Sequence, residues 1–284
     1  MEEAGLGRVA LLGTGLIGGS LAAGLKRHRL ASRIIGFARG GDAEQALALG
    51  LVDEAAASPE QAVAGCDAVI LAAPVSVNCE LLARIAPSLT PGALLTDVSS
   101  VKMPIVAAAR RHLGRAIAGF VPSHPIAGSE RSGPGAAAAT LFEQRTVILS
   151  PLPQTDGAQA ARLEAVWRRL GAVVHRMDPE EHDRIYALVS HWPHAMAFAL
   201  AATVSQQGVA ARLVGPGLLD LTRTAAAAPE LWADILLQNA APVLLAADQV
   251  GKETAAIRTA VEAGDREALI RLFSRAADWR RGLG

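Results

Sequence analysis

The chain has 284 residues, of which 51% are hydrophobic and 19% charged, and its 27 Lys and Arg balance 27 Asp and Glu. This composition is typical of a well-buried globular protein, and the zero net charge argues against general binding to nucleic acid or to an anionic membrane. No uncharged run has the length and apolar quality of a membrane span. The length suits two domains or one large one, and two isolated cysteines, Cys66 and Cys79, are expected to be buried thiols in a cytoplasmic protein.

The first predicted unit is a strand, a glycine-rich turn and a helix. Residues 9–12 form an apolar run typical of a buried parallel strand, three glycines follow in the G-x-G-x-x-G spacing, and residues 20–26 are predicted to be helical. In such a unit the first glycine permits the tight turn, the second lets the backbone approach a pyrophosphate, and the third lets the helix pack closely on the strand. Free N–H groups at the helix start bind the phosphates. We therefore predict a dinucleotide held by Gly13, Gly15, Leu16, Ile17 and Gly18.

The second predicted strand, residues 33–37, bears on the choice of cofactor. Rossmann folds that prefer NAD place an acidic residue about twenty residues after the glycine loop, where it binds the ribose 2′-hydroxyl. Residues 4–41 contain no acid, Ala38 occupies the expected position, and Arg39 follows it. Because an arginine can accommodate a 2′-phosphate, the sequence favours NADP over NAD. The alternative is a solvated arginine at a strand end.

Strands and helices alternate up to about residue 177, which indicates an α/β nucleotide-binding domain. A helix is predicted to begin after Ser58, a suitable N-cap before a proline. Ligands of doubly wound sheets bind at the carboxyl ends of the strands, so Ala73 and Pro74 are expected to border the cofactor. The other predictions are a helix over 42–49 and strands over 50–53, 67–73, 93–97, 116–121, 145–149 and 172–175.

From Asp178 onward the pattern changes to long segments rich in alanine and leucine. Helices this apolar usually bury against a partner, so we expect a homodimer through this half of the chain. The predicted fold is an α/β Rossmann dinucleotide-binding domain over residues 1–177, followed by an all-α substrate and dimerisation domain over residues 178–284. The helical segments are predicted near 179–207, 208–224, 229–250, 252–263 and 265–281.

Polar residues after two strands of the first domain are candidates for chemistry. His124 lies in a proline- and glycine-rich loop that we expect directly after a strand, at the edge where the cofactor binds. A lone histidine is more often a structural hydrogen-bonding residue, but this position favours catalysis. Ser99 and Ser100 follow another strand, and their structural alternative is helix capping.

The second domain contributes two further polar stretches. Residues 190–194, Ser-His-Trp-Pro-His, interrupt its first predicted helix, and two histidines that flank a helix proline suggest a built site. His191 and His194 could also be metal ligands, but no H-E-x-x-H motif is present and the cysteines are distant in sequence, so we predict no metal. Residues 218–223 and Trp232 add a cation, a carboxylate and an aromatic ring, with a salt-bridged surface and a core tryptophan as the alternative.

Six stretches of the chain, taken in sequence order, together resemble the prephenate/arogenate dehydrogenase family, and the resemblance covers roughly residues 8–281. Its Ser-His-Pro-x-x-Gly-x-Glu and Ser-His-x-Pro-His motifs are far more discriminating than the glycine loop. The resemblance implies oxidative decarboxylation of prephenate to 4-hydroxyphenylpyruvate, a step towards tyrosine, with hydride transfer to NADP or NAD. The stretches are the glycine loop, residues 97–102, 123–130, 182–183, 190–194 and 220–223.

The resemblance also implies roles for particular residues. His124 would accept the proton of the substrate's 4-hydroxyl, and Ser100 would hold that hydroxyl or orient the imidazole. Arg223 would bind the ring carboxylate and His194 the side-chain carboxylate, and a histidine at 194 favours prephenate or a dual substrate range over arogenate alone. Trp232 is predicted to bind substrate, and Arg39, Ala73, Pro74 and Ser99 to complete the cofactor site. The residues expected to support these side chains are Glu130, Asp183, Asp220 and His191.

Two more distant alternatives remain at this point. The β-hydroxyacid dehydrogenases resemble this layout, but they rely on a lysine from the second domain, and no lysine occurs between residues 103 and 251. A redox-sensing dinucleotide-binding module without catalysis would tolerate the loss of the polar loops, yet all of them are present.

Overall fold

A computed structural model describes residues 5–128 and 131–283. Within these residues eight strands form one mixed sheet in the order β3-β2-β1-β4-β5-β6-β7-β8. Neighbouring strands pair in parallel except β6 and β7, which are antiparallel. The strands are β1 (Arg8–Leu12), β2 (Arg33–Phe37), β3 (Glu54–Ala55), β4 (Ala68–Leu71), β5 (Leu94–Asp97), β6 (Phe120–Pro125), β7 (Thr146–Leu149) and β8 (Val173–Arg176).

Helices cover both faces of this sheet, which explains why β4 is apolar at every position and β1 at every position after Arg8. Val9 and Leu11 of β1 belong to a core that they share with the helices Leu16–Arg27 and Gly157–Arg169. Ala10 and Leu12 belong to a second core on the opposite face of the sheet. The predicted N-cap is confirmed, because Ser58 Oγ accepts the Gln61 N–H. The helices are α1 (Leu16–Arg27), α2 (Asp42–Ala48), α3 (Pro59–Val63), α4 (Val75–Ile85), α5 (Met103–His112) and α6 (Gly157–Arg169).

The second half of the chain is helical, as predicted. Asp178 caps its first helix by accepting the backbone N–H groups of Glu180 and Glu181. A π-helical turn at Ala187–His191 then interrupts the α-helical pattern, and Pro193, which lacks an N–H, lies in the first turn of the next helix. These helices are α7 (Pro179–Tyr186), α8 (Trp192–Gln206), α9 (Pro216–Thr222), α10 (Pro229–Gln238), α11 (Ala240–Glu262) and α12 (Arg266–Arg281). None of the helices in the described ranges has both the length and the apolar character needed to cross a membrane.

Two strand predictions are wrong in position. Residues 50–53 complete the turn after α2, where Gly50 has a φ of 71° and the N–H groups of Leu51 and Val52 both point to the Ala46 carbonyl, so only Glu54–Ala55 pair with β2. Residues 114–119 form a 3₁₀ turn, and the strand predicted over 116–121 is instead Phe120–Pro125. His124 therefore lies inside β6 and not in a loop after it.

Helix boundaries in the second half also differ from the prediction. The segment predicted over 229–250 breaks at Asn239, whose side chain donates to the Asp183 carbonyl instead of facing solvent. No break occurs before Lys252, because α11 runs through Gly251. Of the segment 208–224, only Pro216–Thr222 is α-helical.

Candidate active site

The glycine loop between β1 and α1 has the geometry of a phosphate cradle. Gly13 has a φ of 106°, and a Cβ there would lie 2.5 Å from the Ala72 carbonyl; a Cβ on Gly18 would lie 2.0 Å from the Gly13 oxygen. A Cβ on Gly15 would meet no atom within 4 Å, so the space in front of it is open. Gly15 is the N-cap of α1, and no side chain or first-turn acid satisfies the N–H groups that follow. This open space with unpaired donors fits a dinucleotide pyrophosphate.

Asn78 organises the sheet edge next to the glycine loop. Its side chain accepts the Ala73 N–H at 3.1 Å and donates to the Ala73 carbonyl and to Ser99 Oγ, at 2.8 and 2.9 Å. The turn at Ala73 and Pro74 is thereby tied to the segment after β5. Sequence reasoning missed Asn78, although a polar residue in the first turn of an apolar helix is a signal. Arg39, at the end of β2, is exposed and makes no hydrogen bond or ion pair with any described residue.

His124 belongs to a chain of three buried side chains. Its Nδ1 lies 2.8 Å from His182 Nε2, and His182 Nδ1 lies 2.8 Å from Asp183 Oδ1. The Tyr186 ring stacks on His182 at 4.5 Å between centroids and meets His124 edge-on at 5.1 Å. Burial lowers the pKa of His124 well below its usual value, and also lowers the pKa of His182 against the opposing effect of Asp183. Both imidazoles are therefore neutral at neutral pH.

Asp183 fixes this chain to the first domain. Its two carboxylate oxygens accept the backbone N–H groups of Lys102 and Met103 at 2.7 and 2.8 Å, which caps the start of α5. Asp183, predicted to orient Arg223 or the histidines, therefore contacts His182 directly. The capping alternative for Ser100 is wrong, because the N-cap of α5 is Lys102.

A fully buried ion pair lies beneath these residues. Lys102 Nζ donates to Asp97 Oδ2 and, at 2.6 Å, to the Ser123 carbonyl, and neither charged side chain is exposed. Asp97 also accepts the backbone N–H groups of Ser99 and Ser123. Burial lowers the pKa of Lys102, and the Asp97 carboxylate opposes that effect. The pair thus ties the segment after β5 to β6, one residue before His124.

Two predicted substrate-binding residues of the helical half, His194 and Trp232, contact each other. The rings of His194 and Trp232 stack with centroids 3.6 Å apart, and His194 Nδ1 donates to the Ser190 carbonyl at 2.8 Å. Burial lowers the pKa of His194, and the charge of Arg223 lowers it further. The Arg223 side chain is exposed, at the start of the 3₁₀ turn after α9.

Helix α10 carries this second cluster onto the first domain. Trp232 packs against Val75 and Val101, and Asp234 Oδ2 accepts the Ser76 N–H at the start of α4 at 3.2 Å. Both domains therefore meet at the edge of the sheet that holds the glycine loop and His124.

The remaining predicted supporting residues differ in their surroundings. His191 is buried, with its Nδ1 3.0 Å from the Asn239 amide, which also donates to the Asp183 carbonyl. Asp220 is exposed and makes neither a hydrogen bond nor an ion pair within the described ranges, so this structure gives it no contact with Arg223. Glu130 lies outside the described residues.

The buried histidines predict a pH-dependent stability. Burial lowers the pKa of His191 to about 4, against about 6.5 in an unfolded chain. Below pH 6.5 the unfolded chain binds a proton that the folded chain does not, so the free energy of unfolding should fall by up to about 1.4 kcal/mol per pH unit for each such histidine. Urea unfolding between about pH 7 and about pH 5 should show this fall.

His191→Gln should reduce that slope. A stability that does not vary over this pH range would contradict the buried, neutral state of these imidazoles.

A Rossmann sheet with an open glycine loop, joined to a helical domain over a buried histidine, defines the class of NAD(P)-dependent oxidoreductases. Residues 21–176 match the model of the prephenate dehydrogenase nucleotide-binding domain, and residues 178–275 match that of the prephenate dehydrogenase dimerization domain. The chain belongs to the prephenate dehydrogenase family.

Known proteins similar to this chain agree with that assignment. The prephenate dehydrogenase of Bacillus subtilis is 37% identical over 97% of this chain and 76% of its own length. The cyclohexadienyl dehydrogenase of Zymomonas mobilis is 32% identical over 97% of this chain and 95% of its own. A crystal structure of prephenate dehydrogenase from A. aeolicus, in complex with hydroxyphenyl propionate and NAD+, superimposes with a TM-score of 0.91, is 32% identical and covers 100% of both chains.

Proposed function

We propose that this protein catalyses the oxidative decarboxylation of prephenate to 4-hydroxyphenylpyruvate and that it uses NADP in preference to NAD. The observation that carries the proposal is the buried imidazole of His124 at the sheet edge that also bears the glycine loop. On this proposal the cofactor is held by the N–H groups at the start of α1, by the Ala73 turn and by Arg39. When bound, the nicotinamide supplies a hydride acceptor.

His124 handles the one proton of the reaction. As hydride leaves C4 of the ring, the 4-hydroxyl becomes a carbonyl and its proton moves to Nε2 of His124, which makes no hydrogen bond with any described residue. The ring carboxylate then leaves as CO2; the electrons of the broken bond enter the ring, the new carbonyl oxygen becomes a phenolate, and the proton held on His124 Nε2 returns to it to give the phenol. Aromatisation supplies much of the driving force, so the protein mainly orients the substrate.

The two carboxylates of prephenate need partners from the helical half. Arg223 is exposed, and on this proposal it binds the ring carboxylate with its planar fork. His194 donates from Nδ1 to the Ser190 carbonyl, so it must be protonated to donate from Nε2 as well to the side-chain carboxylate. A bound carboxylate would favour that protonation. On this proposal Ser100 holds the 4-hydroxyl, and Trp232 supports His194 by stacking.

A turnover assay tests both parts of the proposal. Purified protein with prephenate should reduce NADP with a higher kcat/KM than NAD, because Arg39 can pair with the 2′-phosphate. Arg39→Ala should lower that ratio while leaving kcat with NAD unchanged. A preference for NAD would overturn the cofactor assignment alone. Absence of turnover with prephenate and either cofactor would overturn the proposed reaction; turnover with arogenate only would change the substrate.

Arg223→Ala should raise the KM for prephenate by about ten- to a hundredfold, the size expected for losing hydrogen bonds to a charged group. Steady-state kinetics at varied prephenate would measure it. Arg223→Lys keeps the charge but not the fork and should give a smaller increase, whereas Arg111→Ala, an exposed arginine of α5, should change nothing. An unchanged KM for Arg223→Ala would remove this residue from the site.

The apolar surface of the helical half supports a homodimer. Of the 15 residues of α8 only Ala197 is buried within one chain, and Leu219 and Leu221 of α9 are 59% and 68% exposed. A second copy that covers these helices would remove this surface from water. Sedimentation equilibrium should give twice the 29.3 kDa mass of the chain.

The unpaired cysteines accord with a reducing compartment, and we propose a cytoplasmic location.

A further inference from the structure

We propose that His182 is a positioning residue that fixes the proton of His124 on Nδ1 and so leaves Nε2 free to act as the base. The proposal concerns the arrangement of protons before any substrate binds. Its effect on the rate rests on the proposed function, whereas the arrangement itself can be measured without turnover.

Asp183 is the acceptor in each of its side-chain contacts. Its carboxylate accepts the backbone N–H groups of Lys102 and Met103, which can only donate, and its Oδ1 also lies 2.8 Å from His182 Nδ1. The carboxylate sits at the N-terminus of α5, a position that favours the negative charge. An ionised carboxylate has only acceptor capacity, so the hydrogen of this contact belongs to His182 Nδ1.

The protonation of His182 decides which ring carries the hydrogen between His182 and His124. A neutral His182 with its proton on Nδ1 has only a lone pair on Nε2, and that atom lies 2.8 Å from His124 Nδ1. The hydrogen between the two rings therefore belongs to His124 Nδ1, and His124 Nε2 carries the lone pair. In free histidine the opposite arrangement, with the proton on Nε2, is favoured. The protein thus selects the less common form.

The surroundings of His124 keep this arrangement. The rings of His182 and Tyr186 from α7 contact it, and Lys102 from the segment before α5 and His191 from the π-helical turn act on it electrostatically. None of these is an anion in direct contact, so the ring stays neutral before reaction. When Nε2 takes the hydroxyl proton, the new positive charge is shared through Nδ1 with His182, and the Asp183 carboxylate lies at the end of the chain.

Two substitutions separate positioning from structure. His182→Gln can place its amide oxygen near the former Nε2 and still accept from His124 Nδ1. His182→Asn can place an amide only near the former Nδ1, so it keeps the contact with Asp183 but leaves His124 without an acceptor. We expect the asparagine variant to lose about 10- to 100-fold in kcat with little change in KM for prephenate, and the glutamine variant to recover most of that loss.

The direct test is nitrogen NMR of protein labelled with ¹⁵N-histidine, with His124→Asn used to assign the His124 signals. We expect a protonated Nδ1 and an unprotonated Nε2 on His124 in the wild type, and a shift towards protonated Nε2 in His182→Asn. A wild-type His124 protonated on Nε2, or asparagine and glutamine variants with equal kcat and unchanged spectra, would overturn the proposal. The expected spectra in a protein that does not turn over prephenate would overturn only the proposed function.

Discussion

Replacing His124 with asparagine is expected to lower kcat for prephenate by about 10²–10⁴-fold, the share that a positioned base contributes. The asparagine amide can lie near the former Nδ1 and keep a contact with His182, so the buried chain is disturbed little. What the variant lacks is Nε2, the atom that receives the proton of the 4-hydroxyl. Steady-state kinetics with saturating cofactor would measure the loss, and the KM for prephenate should change far less than kcat.

A matched control is His175→Asn, because His175 is an exposed histidine on β8 of the same domain. It should keep wild-type kcat, and the thermal unfolding of both variants would show that they are folded. A His124→Asn protein with nearly full kcat would show that another group accepts the proton.

Replacing Asp97 with alanine is expected to lower the free energy of unfolding by about 3–5 kcal/mol, the usual cost of leaving one partner of a buried ion pair uncompensated. Lys102 would remain with no exposed surface and no carboxylate, and the backbone N–H groups of Ser99 and Ser123 would lose their acceptor. Urea-induced unfolding at neutral pH would measure the change. Activity should fall as well, because the pair holds the strand that carries His124.

Two comparisons make this prediction specific. Glu54→Ala removes an ion pair with Arg33 in which both side chains are about half exposed, and it should cost no more than about 1 kcal/mol. The double variant Asp97→Ala with Lys102→Met removes both buried charges and should be more stable than Asp97→Ala alone. A loss at Asp97 no larger than that at Glu54 would contradict the buried pair.

Local sequence signals predicted much of the fold. The glycine loop, the cap at Ser58 and the start of the helical domain at Asp178 depend on residues within a few positions of each other, and their expected geometry is observed. The predicted start of β6 was wrong because an apolar run of residues does not distinguish a 3₁₀ turn from a strand. That distinction depends on pairing with β5, whose residues lie about 25 positions earlier in the chain.

The site shows the same division between local and distant information. His124, His194, Arg223 and Trp232 could be named from motifs, and in the structure the His194 and Trp232 rings stack on each other. The supporting contacts could not be named, because they join residues far apart in sequence. Asp183 caps a helix about 80 positions earlier, and Asn239 bonds His191 across 48 positions. Such contacts follow from tertiary packing and leave no periodic pattern in the sequence.

The central claim is that an imidazole from the first domain and a guanidinium from the second act on one substrate molecule. A crystal structure of the wild-type protein with NADPH and prephenate, a pair that cannot react in the forward direction, would test it most directly. We predict that His124 Nε2 lies within about 3 Å of the 4-hydroxyl and that Arg223 contacts the ring carboxylate. Prephenate bound with either side chain out of contact with it would contradict the account.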